Sequence, residues 1–274
     1  MNAEYLNVAL ASGELAYAVA GAGEPVLYLH SAGGMRWSRV LEGLAKTHRV
    51  YAPIAPGFDA RPKHGTLHGV KDLAALYGQF IDAVIVPEGA GNAGAEQART
   101  CDLIGHSLGG WVAAWLAVLR PQRIGQLVLA AASGFGPPDA PPAVLDAQAR
   151  SRSPGLDPDQ PDGAAGPAAA AAANRAMFMA YSGARVRDEE LIARLAEIDR
   201  LTLILHGTAD GIVPQSSSRL LRSRIRRAFL VYVWDAGHAL ETDQPERVLS
   251  VTESFLARSE SFIVNWGSAA VHAG

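Results

Sequence analysis

The strongest constraint on this chain is a pentapeptide, Gly105-His106-Ser107-Leu108-Gly109, set between two apolar stretches. A G-x-S-x-G pattern of this kind suits a sharp turn from strand into helix. The serine takes the strained apex, and the flanking glycines let strand and helix approach closely. The context matches. Residues 101–105 form a short apolar run that predicts a strand. Residues 107–119 carry a helical pattern that Arg120-Pro121 closes. A strand that feeds directly into a helix in this way belongs to an alternating α/β architecture.

The rest of the chain keeps that rhythm. Residues 6–10 and 15–19 predict two strands about an Ala11-Ser12-Gly13 turn. Residues 25–30 are a continuous apolar run, as expected of a strand buried on both faces of a parallel sheet. Further strands are predicted at 49–52, 124–131, 201–206 and 229–234. Helical spacing of apolar residues predicts helices at 38–46, 70–86, 215–225 and 245–256. Residues 87–98, rich in Gly and Ala, predict a long loop. The expected fold is therefore an α/β class, with a mostly parallel sheet covered by helices on both faces. Residues 136–199 break the alternation: a Pro-rich start, an Ala run at 168–173 and helical spacing at 189–198 predict a helical insertion. The expected organisation is a core of 1–135 and 200–260, the insertion 136–199 and a tail 261–274.

Composition narrows the function classes. The formal net charge is -3, with acids and bases interspersed and no basic stripe suited to a phosphate backbone, so a nucleic-acid partner is not expected. A single cysteine, Cys101, allows no intrachain disulfide. The N-terminus lacks a signal-peptide pattern, and no stretch is apolar and long enough to span a bilayer. A cytoplasmic protein without a membrane partner is the expectation. No His/Cys/Asp cluster has metal-ligand spacing, and the Gly21-x-Gly23 pair precedes a strand, not a helix. Neither a metal nor any other cofactor is expected.

The segment Gly105-His106-Ser107-Leu108-Gly109-Gly110-Trp111 resembles the corresponding turn of serine-nucleophile members of the α/β-hydrolase fold family. The likeness extends over nearly the whole chain, with 136–199 in the position of a cap. The resemblance implies Ser107 as nucleophile. Dehalogenases and epoxide hydrolases of the fold carry Asp there, which argues against both chemistries. A serine hydroxyl needs a base that titrates near neutrality, and that base needs an orienting acid. The family order is Ser, acid, His. His238, in Asp235-Ala236-Gly237-His238, resembles the family's Gly-His loop. Asp210, in Gly207-Thr208-Ala209-Asp210, resembles its Gly-x-x-Asp loop. Asp235 and Asp243 lie too close to His238 in sequence to be preferred. Glu241 is expected at the surface or facing the cap. His30, His106 and His206 are expected to brace loops, and His48, His64, His68 and His272 to be solvated.

The resemblance also implies an oxyanion hole from the backbone N–H groups of Leu108 and Ala32, the latter in His30-Ser31-Ala32-Gly33-Gly34, where Ser31 replaces the usual Gly. Ser31, Gly33, Trp37, Trp111 and Phe178 are candidates to line the substrate site. The expected partner is a small-molecule substrate, and the expected reaction is hydrolysis of an ester through an acyl-enzyme. Two alternatives stay open: a C–C bond hydrolase of a dienoic keto acid, for whose carboxylate Arg36, Arg150, Arg175 or Arg185 are candidates, and a non-enzymatic small-molecule receptor.

Overall fold

In the computed structural model, which describes residues 3–88, 100–138 and 167–262, eight strands form one sheet. They are β1 (Glu4–Leu10), β2 (Gly13–Ala20), β3 (Glu24–Leu29), β4 (His48–Pro53), β5 (Cys101–His106), β6 (Ile124–Ala130), β7 (Thr202–Gly207) and β8 (Ala228–Val233). Their spatial order is β1-β2-β4-β3-β5-β6-β7-β8. The β1–β2 hairpin and the β2–β4 pair are antiparallel, and the others are parallel.

The sheet has two buried faces because alternate side chains of its central strands point to opposite sides. Leu27, Leu29, Leu103, Leu127, Leu129 and Ile204 enter one core. Val26, Tyr28, Ile104, Val128, Leu203 and Leu205 enter the other. Burying a leucine or valine in this way contributes about 1.5–3 kcal/mol. The first face is covered by α2 (Val70–Phe80), α3 (Leu108–Leu119) and α6 (Gln215–Arg224). α1 (Arg39–Leu44) and α8 (Pro245–Arg258) cover the second. Helix α3 is buried on nearly every side, as a helix apolar all round must be.

Most element boundaries follow the sequence pattern to within two residues. α2 passes into a π-helical turn, Ile81–Ile85, and a last turn, Val86–Glu88, so the helix reaches into the predicted 87–98 loop. The remainder of that loop lies outside the described residues, as do 139–166 of the expected insertion and 263–274 of the tail. The described part of the insertion is α4 (Pro167–Ser182), α5 (Glu189–Arg194) and a 3-10 turn, Leu195–Glu197. Its start is tied to the segment between α4 and α5. Gly136 N donates to Val186 O at 3.0 Å, and Asp188 N donates to Gly134 O at 2.9 Å. The short α7 (Leu240–Asp243) was not foreseen.

The strand order positions the site. The chain moves outward from β3 to β4, then returns to place β5 on the other side of β3. Loops leaving the carboxyl ends of β3 and β5 therefore diverge and open a crevice, the usual ligand position in open α/β sheets. Ser107 follows β5, and residues 30–34 follow β3.

Candidate active site

Ser107 occupies the turn between β5 and α3 with φ 54° and ψ −112°, a conformation that costs a non-glycine residue of the order of 1–3 kcal/mol. Its backbone is held on both sides. Ser107 N donates to Ala130 O at 2.9 Å, and Ser107 O accepts from Ser133 N and Trp111 N at 3.1 Å. The flanking glycines are steric necessities. A Cβ at Gly105 would lie 2.3 Å from Gly109 O, and one at Gly109 would lie 1.9 Å from Leu29 O. The same contact sets the end of β3 against the first turn of α3.

His238 Nε2 lies 2.9 Å from Ser107 Oγ, and its Nδ1 lies 3.0 Å from Asp210 Oδ2. The Asp210 carboxylate is buried. Its other oxygen accepts from Ile212 N at 2.8 Å and Val213 N at 2.9 Å. Burial alone would push this carboxyl up, but the hydrogen bond and charge of His238 and the two N–H donors hold it below the ordinary value. It is the acceptor that fixes a proton on His238 Nδ1, leaving Nε2 to accept from the serine.

Three buried histidines brace the surrounding loops. His106 Nε2 donates to the carbonyl of His238 at 2.8 Å. Burial, reinforced by the His238 ring, lowers its pKa to about 4. His206 Nε2 donates to Val213 O at 3.1 Å, and its Nδ1 pairs with Ser218 Oγ. His30 Nε2 accepts from Ala55 N at 3.0 Å, so Nδ1 carries the proton and donates to Ser31 O at 2.7 Å. Burial lowers the pKa of His206 and His30 as well.

The Ser31 carbonyl also accepts from Gly34 N at 3.1 Å, closing a turn over Ser31-Ala32-Gly33-Gly34. Ala32 N–H and Ser31 C=O belong to one planar trans peptide. With the carbonyl gripped by His30 and Gly34, the N–H is aimed away from both. Leu108 opens α3, and its N–H is one of the donors a helix start leaves without an intrahelical acceptor.

The candidate lining residues have diverse environments. Ser31 is half-buried, and its Oγ accepts from Gly33 N at 3.2 Å. The Gly33 carbonyl accepts from Asn174 Nδ2 at 3.1 Å. Trp37 is half-buried against the second core. Phe178 is buried in the first core. Trp111 is wholly buried, and its indole donates to Asp188 Oδ2 at 2.8 Å. It belongs to the scaffold because α3 has no open face there. His64 is buried between Ser12 Oγ and Glu14 O, not solvated.

Sequence reasoning missed Glu241. Its carboxylate accepts from Ser38 Oγ at 2.8 Å and from the Tyr28 hydroxyl, and burial raises its pKa. Asp243 Oδ2 accepts from Gly237 N at 2.8 Å, steadying the turn before His238.

A family model described as "Alpha/beta hydrolase family" matches residues 26–251. The chain belongs to the alpha/beta hydrolase family. It is 27% identical to the 2-hydroxy-6-oxo-2,4-heptadienoate hydrolase of Pseudomonas putida, over 95% of this chain and 99% of that protein. It is also 27% identical to the pimeloyl-[acyl-carrier protein] methyl ester esterase of Aeromonas hydrophila, over 86% and 96% of the two chains. Among solved structures, a hydrolase from Pseudomonas aeruginosa matches with a TM-score of 0.67 and 28% identity, covering 92% of this chain and 98% of that one. Among the described residues no helix is long and apolar enough to cross a membrane.

Proposed function

We propose that this hydrolase cleaves a small-molecule ester through an acyl-enzyme on Ser107. The observation that carries the reading is the continuous chain of hydrogen bonds from Ser107 through His238 to Asp210, at 2.9 and 3.0 Å, with the serine at a strained apex. In the first step Ser107 Oγ attacks the ester carbonyl while its proton passes to His238 Nε2. The Asp210 carboxylate stabilises the imidazolium. The carbonyl oxygen becomes an oxyanion that the Leu108 and Ala32 N–H groups stabilise. His238 then returns the proton to the departing alkoxide, leaving Ser107 acylated. Water, deprotonated by His238, attacks the acyl carbon, and collapse of that intermediate releases the acid and restores Ser107. In this reading 136–199 is a cap and 1–135 with 200–260 the catalytic core.

A fluorophosphonate tests the nucleophile directly. One adduct on Ser107, with loss of both labelling and ester turnover in a folded Ser107→Ala protein, is expected. An adduct on another serine, or full activity in Ser107→Ala, overturns the assignment. Labelling of Ser107 without turnover of an activated ester favours a receptor on the same fold.

C–C bond hydrolysis is the second reading. The name of the Pseudomonas putida relative supports it. So does Arg175, half-buried on α4 next to Asn174, whose Nε is enclosed without a hydrogen-bond partner among the described residues. Arg185 Nε is occupied by Ser182 O, and Arg150 lies outside the described residues. Hydrolysis of a dienoic keto acid far faster than of any ester, lost in Arg175→Ala, would decide for this reading.

A further inference from the structure

The turn that carries Ala32 is not held by the sheet alone. Asn174, buried on α4, uses its whole amide on two loops of the core. Its Nδ2 donates to Gly33 O at 3.1 Å and to Asp59 Oδ1 at 2.9 Å. Its Oδ1 accepts from Asp59 N at 2.9 Å. The second oxygen of Asp59 accepts from Met35 N at 2.7 Å. An amide and a carboxylate thus grip the peptide groups that flank Gly34 on both sides.

Those grips are connected to Ala32 by covalent geometry. The Gly33–Gly34 peptide is held at its oxygen by Asn174 and at its N–H by the Ser31 carbonyl. The Ser31 carbonyl is the other end of the peptide that carries Ala32 N–H, and peptide planarity ties the two directions together. Rotation of the Gly33–Gly34 plane would break the bond to Ser31 and free the Ala32 N–H to swing. Gly34 has φ +94°, and a Cβ there would lie 2.0 Å from Asp59 Oδ1 and 2.7 Å from Asn174 Nδ2. The clamp and the glycine fit only each other.

A second observation stands apart from these hydrogen bonds. Asp59 and the next residue, Ala60, have φ 50° and 58°, in the left-handed region that costs an L-residue about 1–2 kcal/mol. A glycine at position 59 would adopt that backbone freely. The chain instead carries a strained aspartate whose carboxylate reaches Met35 and Asn174. Strain tolerated in this way is typical of segments whose geometry serves a site.

We propose that Asn174 and Asp59 are positioning residues that set the Ala32 N–H for the oxyanion, so that seating α4 and completing the oxyanion hole are one event. The inference rests on the reading of Ala32 as an oxyanion donor. Neither residue touches the reacting atoms. Their effect is on kcat, because an oxyanion donor interacts more strongly in the transition state than in the bound substrate.

Asp59→Gly separates positioning from folding, since it removes the carboxylate and the backbone strain together. With p-nitrophenyl acetate, Asp59→Gly and Asn174→Ala should each lower kcat at least about tenfold while KM stays within about threefold, a partial form of the loss seen when such a donor is removed outright. Affinity for a trifluoromethyl ketone, whose adduct with serine carries an oxyanion, should fall in parallel with kcat. Fluorophosphonate labelling should slow likewise. The pH profile of kcat/KM should keep its midpoints, because the Ser107–His238–Asp210 chain is untouched. The double variant should be no worse than the poorer single one, because both act on one turn. Asp59→Gly should melt no lower than the wild-type protein. An unchanged kcat in both single variants, or a loss carried by KM, overturns the clamp while leaving the serine mechanism in place. Losses that track melting temperature reduce both residues to a structural role and overturn it too. A wild-type protein that neither turns over an ester nor takes the fluorophosphonate label overturns the serine mechanism first, and the clamp with it.

Discussion

At Asp210 the proposed mechanism depends on one side chain's acceptors. Both carboxylate oxygens face donors only: His238 Nδ1 on one, and the N–H groups of Ile212 and Val213 on the other. An asparagine would turn an NH2 group toward one of these donors, or select the wrong tautomer of His238. Asp210→Asn should therefore lower kcat/KM by about a thousandfold or more. Asp235 is exposed, so Asp235→Asn should have little effect. Asp243→Asn should show a small loss, through the Gly237 N–H and the weaker electrostatic contact of its carboxylate with His238. Rate measurements on the three variants decide the matter, and equal losses would remove the case for Asp210. The residues of this hydrogen-bonded chain were legible because each sits in a short local pattern just after a predicted strand. The residues that hold them were not. Glu241 meets Ser38 across 203 positions and Asn174 meets Asp59 across 115. Nothing local in the sequence marks either pair. Asp59, in a Pro-Gly-Phe-Asp stretch, looks like an ordinary turn residue until its φ is known.

Among the elements, the return of the insertion to the core turns on Asp188. It is the N-cap of α5, with Oδ1 accepting from Leu191 N at 3.0 Å. Its Oδ2 accepts from the indoles of both Trp111 and Trp115, each at 2.8 Å. One buried carboxylate thus joins α3 to α5 and satisfies two indole donors within an apolar helix. Asp188→Ala leaves both N–H groups buried without an acceptor, at about 1–3 kcal/mol each, and removes a cap worth about 1 kcal/mol. A loss of about 3–7 kcal/mol in urea unfolding is expected. Trp111→Phe in the Asp188→Ala background should cost less than in the wild-type protein, because its orphaned donor is removed. Losses that simply add would mean that the indole bonds contribute little. The sequence suggested that Trp111 lines the pocket because it follows the serine turn. Helical geometry instead carries its side chain into the core, four residues before Trp115 on the same helix face. A residue's position along the chain indicates its distance from a site but not the direction of its side chain. The helix boundaries were legible where Pro or Gly stops the pattern. They were less so after Phe80, where apolar spacing continues through a π turn that changes the period.

On the scale of the whole molecule, the parallel sheet gathers its functional loops at one end, and buried imidazoles gather there with them. His30, His106 and His206 lie within one residue of the ends of β3, β5 and β7, and each has its pKa lowered by burial. The strand–helix alternation made this architecture legible. It did not reveal that the end carrying Ser107 rests on neutral histidines, because neutrality follows from tertiary burial. The consequence is acid sensitivity. For His106 the folded pKa is about 4 against an ordinary 6.5. Between these values the unfolded chain takes up a proton that the folded one refuses. Its stabilising contribution is complete above pH 6.5 and is lost progressively as the pH falls toward 4, by about 3 kcal/mol in all. Charging His106 would also set a cation beside His238, whose ring centroid lies 5.3 Å away. The carboxyls of Asp102, Glu241 and Asp243, raised by burial, act in the opposite sense by favouring protonation of the folded state. The whole-protein slope is therefore a balance, and a variant is needed to isolate one group. His106→Gln keeps a donor for the His238 carbonyl but cannot take up the proton. Urea unfolding between pH 7 and pH 4.5 should show the wild-type protein losing more stability than His106→Gln, with nearly all of the difference arising below pH 6.5. Parallel curves for the two proteins would mean that His106 binds its proton equally in both states, and that this end of the sheet is not held by neutral imidazoles.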